Sequence, residues 1–154
     1  MTERAMVDAF ERELLAEIPL ARAMHLRVAH YAPDALVLAA PLAPNVNDKG
    51  CAFGGSLGSL LTLAGWGLIV LHLKTLGRDC DVYVQDSQMR YLAPLWQDFE
   101  AHAALAPGES WDAFDAALAA RGKARVRVAC RVPLAAGGDG CTLEARFVAL
   151  AKAG

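Results

Sequence analysis

An uncharged stretch in the middle of the chain most limits what it can fold into. The 24 residues between Lys49 and Lys74 contain no Asp, Glu, Lys or Arg. A helix needs about 20 apolar residues to cross a bilayer, so this stretch could span a membrane or form a helix inside a core. Glycines, hydroxyl side chains and His72 dilute its hydrophobicity, and basic residues do not cluster on one flank. We therefore expect a buried core helix.

The segments around this helix are suited to covering it. From Lys123 to Val132, small apolar residues alternate with Lys and Arg, which is typical of a strand with one buried face. Similar patterns predict helices over residues 4–18, ended by Pro19, and after Ser110, and strands over 24–29, 34–40, 80–92, 98–106, 123–132 and 141–149. This order predicts one α+β domain, residues 1–154, with an antiparallel sheet packed on the apolar helix.

Composition excludes several classes of function. The net charge of −2 gives no general attraction for nucleic acid or anionic lipid, and the 55% hydrophobic content is that of a globular protein. The first 17 residues carry several charges and do not resemble a secretion signal, so we expect a cytoplasmic protein with reduced cysteines. The four histidines show no metal-ligand spacing, and we expect no metal site.

The loop before the helix is a candidate site. The first N–H groups of a helix lack acceptors, and Gly54 and Gly55 would let a ligand approach them closely. Such a site can hold a phosphate or stabilise an oxyanion. The segment GCAFGGS lacks the Lys-Ser/Thr end of a P-loop. Alternatively, the glycines only permit a tight turn and close packing.

Three segments carry a resemblance to a known family. They are NVNDKGCAFGGSLGSLLTLAGWGL, then QMRYLAPL, and later GKARVRV. Together they resemble the hotdog-fold putative thioesterases of the YiiD C-terminal type, over roughly residues 13–149. The resemblance implies a curved antiparallel sheet wrapped around a long central helix. It also implies a homodimer formed by sheet pairing, active sites at the subunit interface, and no cofactor other than coenzyme A as part of the substrate.

Many hotdog thioesterases share an Asn-x5-His-Gly-Gly pattern. By this resemblance, Asn47 would position substrate or water, while the N–H groups of Gly54 and Gly55 would polarise the thioester carbonyl. Phe53 stands where the pattern has His. Thr62 stands at the position of the usual catalytic carboxylate and cannot act as a carboxylate base. The resemblance therefore supports the carbonyl-binding site better than it supports one mechanism.

The catalytic base and the substrate contacts have to come from other residues. Asp86 is the first candidate for the base and Asp48 the second, although each could also be an ordinary surface residue. Lys49 and Arg90 are the preferred contacts for coenzyme A phosphates. Phe53 and Trp66 could line an acyl pocket. The row of arginines on the 123–132 strand is a further phosphate candidate, with a solvated strand face as the alternative: Arg125, Arg127 and Arg131.

The function predicted from sequence is thioester hydrolysis. The substrate would be an acyl-CoA or an acyl carrier protein, bound at a dimer interface without metal or redox cofactor. The alternative is a non-catalytic module that binds or senses acyl thioesters, which Thr62 favours because that use needs no base. Cys51, near the helix start, could be a nucleophile but is better explained as a small packed residue.

Overall fold

The computed structural model describes residues 1–153, which form four α-helices and six β-strands. The helices are α1 (Glu3–Glu17), α2 (Pro19–Ala23), α3 (Gly54–Thr75) and α4 (Trp111–Arg121). The strands are β1 (Arg27–Ala32), β2 (Ala35–Ala40), β3 (Cys80–Tyr91), β4 (Phe99–Leu105), β5 (Lys123–Pro133) and β6 (Asp139–Ala151). A 3-10 turn over Ala43–Asn45 precedes the loop that leads into α3.

One antiparallel sheet packs on α3. Its strand order is β1-β2-β4-β5-β6-β3, and α3 contacts every strand from β2 to β6. On β5 the side chains of Ala124, Val126 and Val128 are buried against the core, whereas the intervening arginines face solvent. The predicted α+β class and the hotdog arrangement, a curved sheet around a central helix, are confirmed.

Helix α3 lies deep in this core despite being long and apolar enough to cross a bilayer. Just over half, 56%, of its most apolar window is buried within the protein. A Cβ on Gly65 would lie 2.8 Å from Val128 Cγ2, and one on Gly67 would lie 2.8 Å from Leu36 Cδ2. Such distances leave no room for a side chain, so these two glycines bring the helix backbone close to its neighbours.

The N-terminal third differs in detail from the sequence prediction. Helix α1 ends at Glu17, one residue before the predicted end, and Pro19 begins the short helix α2, because proline suits the first turn of a helix. Strand β1 starts at Arg27 instead of residue 24 and continues through Tyr31 to the turn at Pro33. None of its residues is fully buried, so it shows little of the alternation that marks a half-buried strand.

Strand β3 forms one edge of the sheet and carries an irregularity. It pairs with β6, and the register shifts between Val84 and Asp86, which leaves Gln85 as the extra residue. Beyond this bulge Asp86 lies opposite Arg146, whose neighbours on β6, Ala145 and Phe147, are buried. The bulge thus places Asp86 on the solvent face of the sheet.

Candidate functional site

The loop before α3 is organised by two asparagines. Asn45 is buried, and its Nδ2 donates to the carbonyls of Met24 and Pro41 at 3.0 and 2.8 Å. The Asn47 Oδ1 accepts from the N–H of Lys49 at 2.8 Å and of Cys51 at 3.2 Å. Asn47 therefore folds its own loop, and these hydrogen bonds hold its amide oxygen away from any role as a free acceptor.

Helix α3 begins without the side-chain cap that the other long helices have. Thr2 caps α1 and Ser110 caps α4, each by accepting a hydrogen bond from a backbone N–H at 3.1 Å. The residue at the same position of α3 is Phe53, which has no side-chain oxygen. Within residues 1–153, the N–H groups of Gly54, Gly55 and Ser56 have no hydrogen-bond acceptor. They carry the partial positive charge of the helix end and can receive a carbonyl oxygen.

Two aromatic rings lie against the first two residues of α3. A Cβ on Gly54 would lie 3.2 Å from Cε1 of Tyr91, and a Cβ on Gly55 would overlap the ring of Phe53. The Tyr91 hydroxyl also donates to the Gly54 carbonyl at 3.1 Å. The glycines thus admit the two aromatic rings, which is the close packing that was the alternative explanation, and the approach of a ligand to the helix end stays a prediction.

A cavity of about 420 Å³ opens beside this helix end. It runs along the first turns of α3 and is bordered by α2 and by the end of β3. Its lining residues are Ile18, Leu20, Gly54, Gly55, Gly58, Ser59, Thr62, Leu63 and Tyr91. Among these described residues there is no carboxylate and no imidazole, so the cavity wall offers backbone N–H groups and apolar surface but no strong base.

Two of the predicted site residues lie elsewhere. The Asp86 carboxylate is 65% exposed on the solvent face of the sheet, with Oδ2 3.9 Å from an Arg146 nitrogen. Arg90 lies opposite Thr142 and lines a separate cavity of about 340 Å³ on that outer face. The structure does not bring Asp86 or Arg90 to Gly54.

The neighbouring arginines of β5 share this outer face and have polar partners of their own. Arg125 donates to Gln85 at 3.0 Å. Arg127 pairs with Glu109 at 3.2 Å, and Arg131 pairs with Asp139 at 2.7 Å. This arrangement fits the solvated strand face that was the alternative to a phosphate site.

Lys49 and Asp48 stand on the exposed tip of the loop. The Lys49 ammonium pairs with the Asp48 carboxylate at 3.0 Å. Their mutual hydrogen bond lowers the pKa of Asp48 and raises the pKa of Lys49. Asp48 is therefore a poorer proton acceptor than an isolated aspartate, which weakens it as a candidate base.

Cys51 and His72, the remaining candidates, make contacts that hold the fold together. Cys51 is buried, and its Sγ lies 3.2 Å from Nδ2 of Asn47. His72, near the far end of α3, lies 2.7 Å from the Asp115 carboxylate and stacks on Trp111 at a centroid distance of 3.8 Å. These contacts join α3 to α4, far along the helix from Gly54.

Tyr91 is the site residue that sequence reasoning missed. Its ring and hydroxyl both contact Gly54, and it borders the cavity. A sequence signal existed, because Met89 and Tyr91 alternate with Gln88 and Arg90 on β3 and so share one face. Because of the bulge earlier in β3, counting alternate residues from the start of the strand does not show whether this face is the one packed on α3.

Comparisons with known proteins agree with the fold. Residues 7–151 match the model of the family described as "Putative thioesterase (yiiD_Cterm)". A protein of unknown function from Chlorobaculum tepidum has 25% identity and a TM-score of 0.90, with 98% of each chain covered. A putative thioesterase from Shewanella oneidensis has 25% identity and a TM-score of 0.84, with 96% of this chain and 99% of that one covered. A thioesterase from Haemophilus influenzae, 12% identical with a TM-score of 0.71, shares the fold over 94% of this chain and 90% of its own.

Proposed function

We propose, since the chain belongs to the putative thioesterase family of the YiiD C-terminal type, that it hydrolyses acyl thioesters of coenzyme A or acyl carrier protein. The observation that carries this proposal is the uncapped start of α3. The N–H groups of Gly54, Gly55 and Ser56 are free within the described residues, and Gly54 and Gly55 border an apolar cavity. A thioester needs both features, one for its carbonyl and one for its acyl chain.

In the proposed reaction the helix end stabilises charge on the carbonyl oxygen. Water attacks the carbonyl carbon, the C–S bond breaks, and the proton that water loses ends on the leaving thiolate. The N–H groups of Gly54 and Gly55 stabilise the oxyanion that forms in between, an effect worth about 10²–10³-fold in rate per donor in other enzymes. The rings of Phe53 and Tyr91 lie beside this point.

We further propose that the working form is a homodimer built on strand β3. This strand is a sheet edge of 12 residues, and Tyr83 and Val84 on it are 56% and 46% exposed. A long exposed edge is a template for pairing with another strand. Because Tyr91 ends this same strand and contacts Gly54, pairing through β3 would place the cavity close to the subunit boundary.

A proline at position 54 tests the carbonyl-binding role directly. Proline lacks the N–H and is tolerated at the first position of a helix, and Phe53 already has the extended backbone, ψ 131°, that favours a following proline. The matched control is Gly54→Ala, which meets Tyr91 with the same Cβ but keeps the N–H. In a thiol-release assay we expect Gly54→Pro to be about 10²-fold slower than Gly54→Ala. Equal rates would contradict the role of this N–H.

The group that activates water has its own test. Asp86 remains the sequence's candidate, although its carboxylate and Gly54 lie on opposite faces of the sheet in one protomer. A fall of about 10²-fold in Asp86→Asn would mean that Asp86 reaches the reaction across a subunit boundary. Unchanged turnover would rule out Asp86 as the base and leave the hydrolysis proposal intact.

One observation favours a second candidate function, a module that binds acyl thioesters without hydrolysing them. The described side chains of the cavity lining include no carboxylate or imidazole, and Thr62 takes the usual acid position. The two functions differ in one measurement. Tight binding of an acyl-CoA with no release of thiol across a panel of chain lengths would establish the binding module.

A further inference from the structure

A second cavity continues the first along α3. It measures about 300 Å³ and lies between α1 and the start of β3, with Phe10, Leu14, Trp66 and Val70 among its lining. Ile18 lines both cavities, so they meet at this residue. Together they follow the one stripe of α3 that is only half-buried, from the first glycines to the last turns of the helix.

Trp66 is the first residue of α3 to line the second cavity, and it follows Leu63, the last residue of α3 to line the first. Its Nε1 donates to the carbonyl of Val82 on β3 at 3.1 Å, and its ring lies 5.9 Å from the ring of Phe10 on α1. The indole therefore reaches from α3 to the edge strand on one side and contacts α1 on the other. A half-buried tryptophan held by two elements cannot move aside without losing these contacts.

The second cavity beyond Trp66 is less suited to an alkyl chain. Two ion pairs line it, Lys74 with Glu13 at 3.1 Å and Lys152 with Asp79 at 3.1 Å. An alkyl chain that passed between these groups would remove water from them without offering a hydrogen bond, which is unfavourable. The first cavity, by contrast, has apolar and hydroxyl side chains.

We infer that Trp66 is the end wall of the acyl site and limits the substrate to medium-length acyl chains. This inference rests on the proposed function, because it assumes that the thioester carbonyl lies at the N–H groups of Gly54 and Gly55. The acyl chain then follows the half-buried stripe of α3 past Ser59 and Leu63 and stops at the indole.

Helix geometry gives the length of the acyl chain that this site can hold. Gly55 and Trp66 lie about 16 Å apart along α3, and a helical side chain leans back toward the N-terminus by roughly one turn, about 5 Å. About 11 Å remain for the chain. An extended chain advances about 1.2 Å per bond, so the site holds about nine bonds, or an acyl chain of about ten carbons.

The experiment uses acyl-CoA thioesters of about 4 to 16 carbons as probes, a range that brackets the length derived above. Beside them it uses non-hydrolysable ketone analogues, in which a methylene separates the sulfur from the carbonyl. Turnover is measured on the thioesters and binding on the analogues. We expect the parent protein to prefer chains near ten carbons. Trp66→Ala should raise the turnover, and the binding, of the 14-carbon chain relative to the 8-carbon chain by at least about tenfold. A single methylene already makes a difference of about this size in an apolar pocket. Trp66→Phe, which keeps an aromatic core residue, should shift the preference less in the same direction.

Val70→Ala is the matched control, since Val70 lines the second cavity one turn beyond the wall. Its length preference should equal that of the parent. The inference is overturned if folded Trp66→Phe and Trp66→Ala keep the parent's preference, if the parent accepts 16 carbons as well as 10, or if no analogue binds at any length. If the analogues show the shift in binding while no thioester is hydrolysed, the wall is supported and the hydrolysis proposal fails.

Discussion

The Tyr91 hydroxyl donates a hydrogen bond to the carbonyl oxygen of Gly54 across 3.1 Å, so the edge strand β3 is joined to the first residue of the central helix. The pairing of β3 therefore bears directly on the geometry of the helix end. Tyr91→Phe keeps the ring against Gly54 but loses this bond. We expect it to lower the free energy of unfolding by about 1 kcal/mol and the turnover only a few-fold.

Tyr91→Ala is the comparison for that variant, because it removes the ring as well. It should lower turnover more than Tyr91→Phe does if the ring shields the carbonyl site from water. Urea unfolding gives the stability, and thiol release gives the turnover. Equal turnover in the two variants would show that the ring has no such role.

Adding a cap to α3 should trade activity for stability. In Phe53→Ser the new hydroxyl can accept from the N–H groups of the first turn, as Ser110 does on α4. We expect thermal stability to rise and turnover to fall about tenfold, since the hydroxyl competes with the substrate carbonyl. Phe53→Ala removes the same ring without adding an acceptor, so it should retain more turnover than Phe53→Ser. The reverse order would contradict the role of the free N–H groups.

Three glycines of α3 should respond differently to alanine. Gly65→Ala and Gly67→Ala place a methyl group 2.8 Å from packed side chains, so each should lower the free energy of unfolding by about 1–3 kcal/mol. At Gly58 the nearest atom is the flexible Met89 sulfur at 3.3 Å, and the helix-propensity gain of about 1 kcal/mol should make Gly58→Ala neutral or stabilising. Denaturant titration of the three variants checks this order, and a loss at Gly58 as large as at Gly65 would contradict it.

The buried cysteines should be inert in the folded protein. Burial raises the pKa of Cys130 to about 12 and that of Cys141 to about 11, from an ordinary value of 9.0. Both stay protonated at pH 8, so a thiol reagent should modify them only after urea unfolding. Because these folded pKa values lie above the unfolded value of 9.0, the two thiols leave stability unchanged below pH 9, and the free energy of unfolding falls as pH rises from 9.0 toward about 11 and about 12. Rapid labelling of either residue in the native protein would contradict their burial.

We expect His72 to stabilise the fold and to take no part in the reaction. His72→Ala removes the stack on Trp111 and leaves the Asp115 carboxylate without its partner, so we expect a loss of about 2 kcal/mol in stability. Because the pair lies far along α3 from Gly54, kcat/KM measured well below the unfolding temperature should change less than threefold. A much larger loss of turnover in the folded variant would mean that His72 takes part in the reaction.

The sequence predicted those parts of the fold whose pattern is local. The alternation on β5 and the uncharged length of α3 each reflect one buried face or one buried element, and both were placed correctly. The predicted bounds of β1 were displaced toward the N-terminus because a strand without a buried face shows no alternation. The face on which Asp86 lies was not predictable from the sequence. The extra residue Gln85 moves every later side chain of β3 to the opposite face, and this bulge is visible only in the pairing of β3 with β6.

The candidate site was likewise predictable only where its signal is local in the sequence. The open helix end at Gly54 and Gly55 could be inferred from residue types alone. The contact of Tyr91 with Gly54 joins residues that lie far apart in the sequence, and it depends on where β3 ends. The use of Asn47 by its own loop likewise required coordinates, because asparagine serves equally well in a turn or in a site.

The uncapped start of α3 also offers a practical means of finding the natural substrate. A molecule whose carbonyl occupies the free N–H groups binds the folded chain and not the unfolded one, so it must raise the melting temperature. At a concentration of 100 Kd the gain is about 2.7 kcal/mol, enough to detect without any chemical step. A melting screen of non-hydrolysable ketone analogues, in which a methylene separates the sulfur from the carbonyl, would thus rank ligands by chain and carrier even where none is turned over.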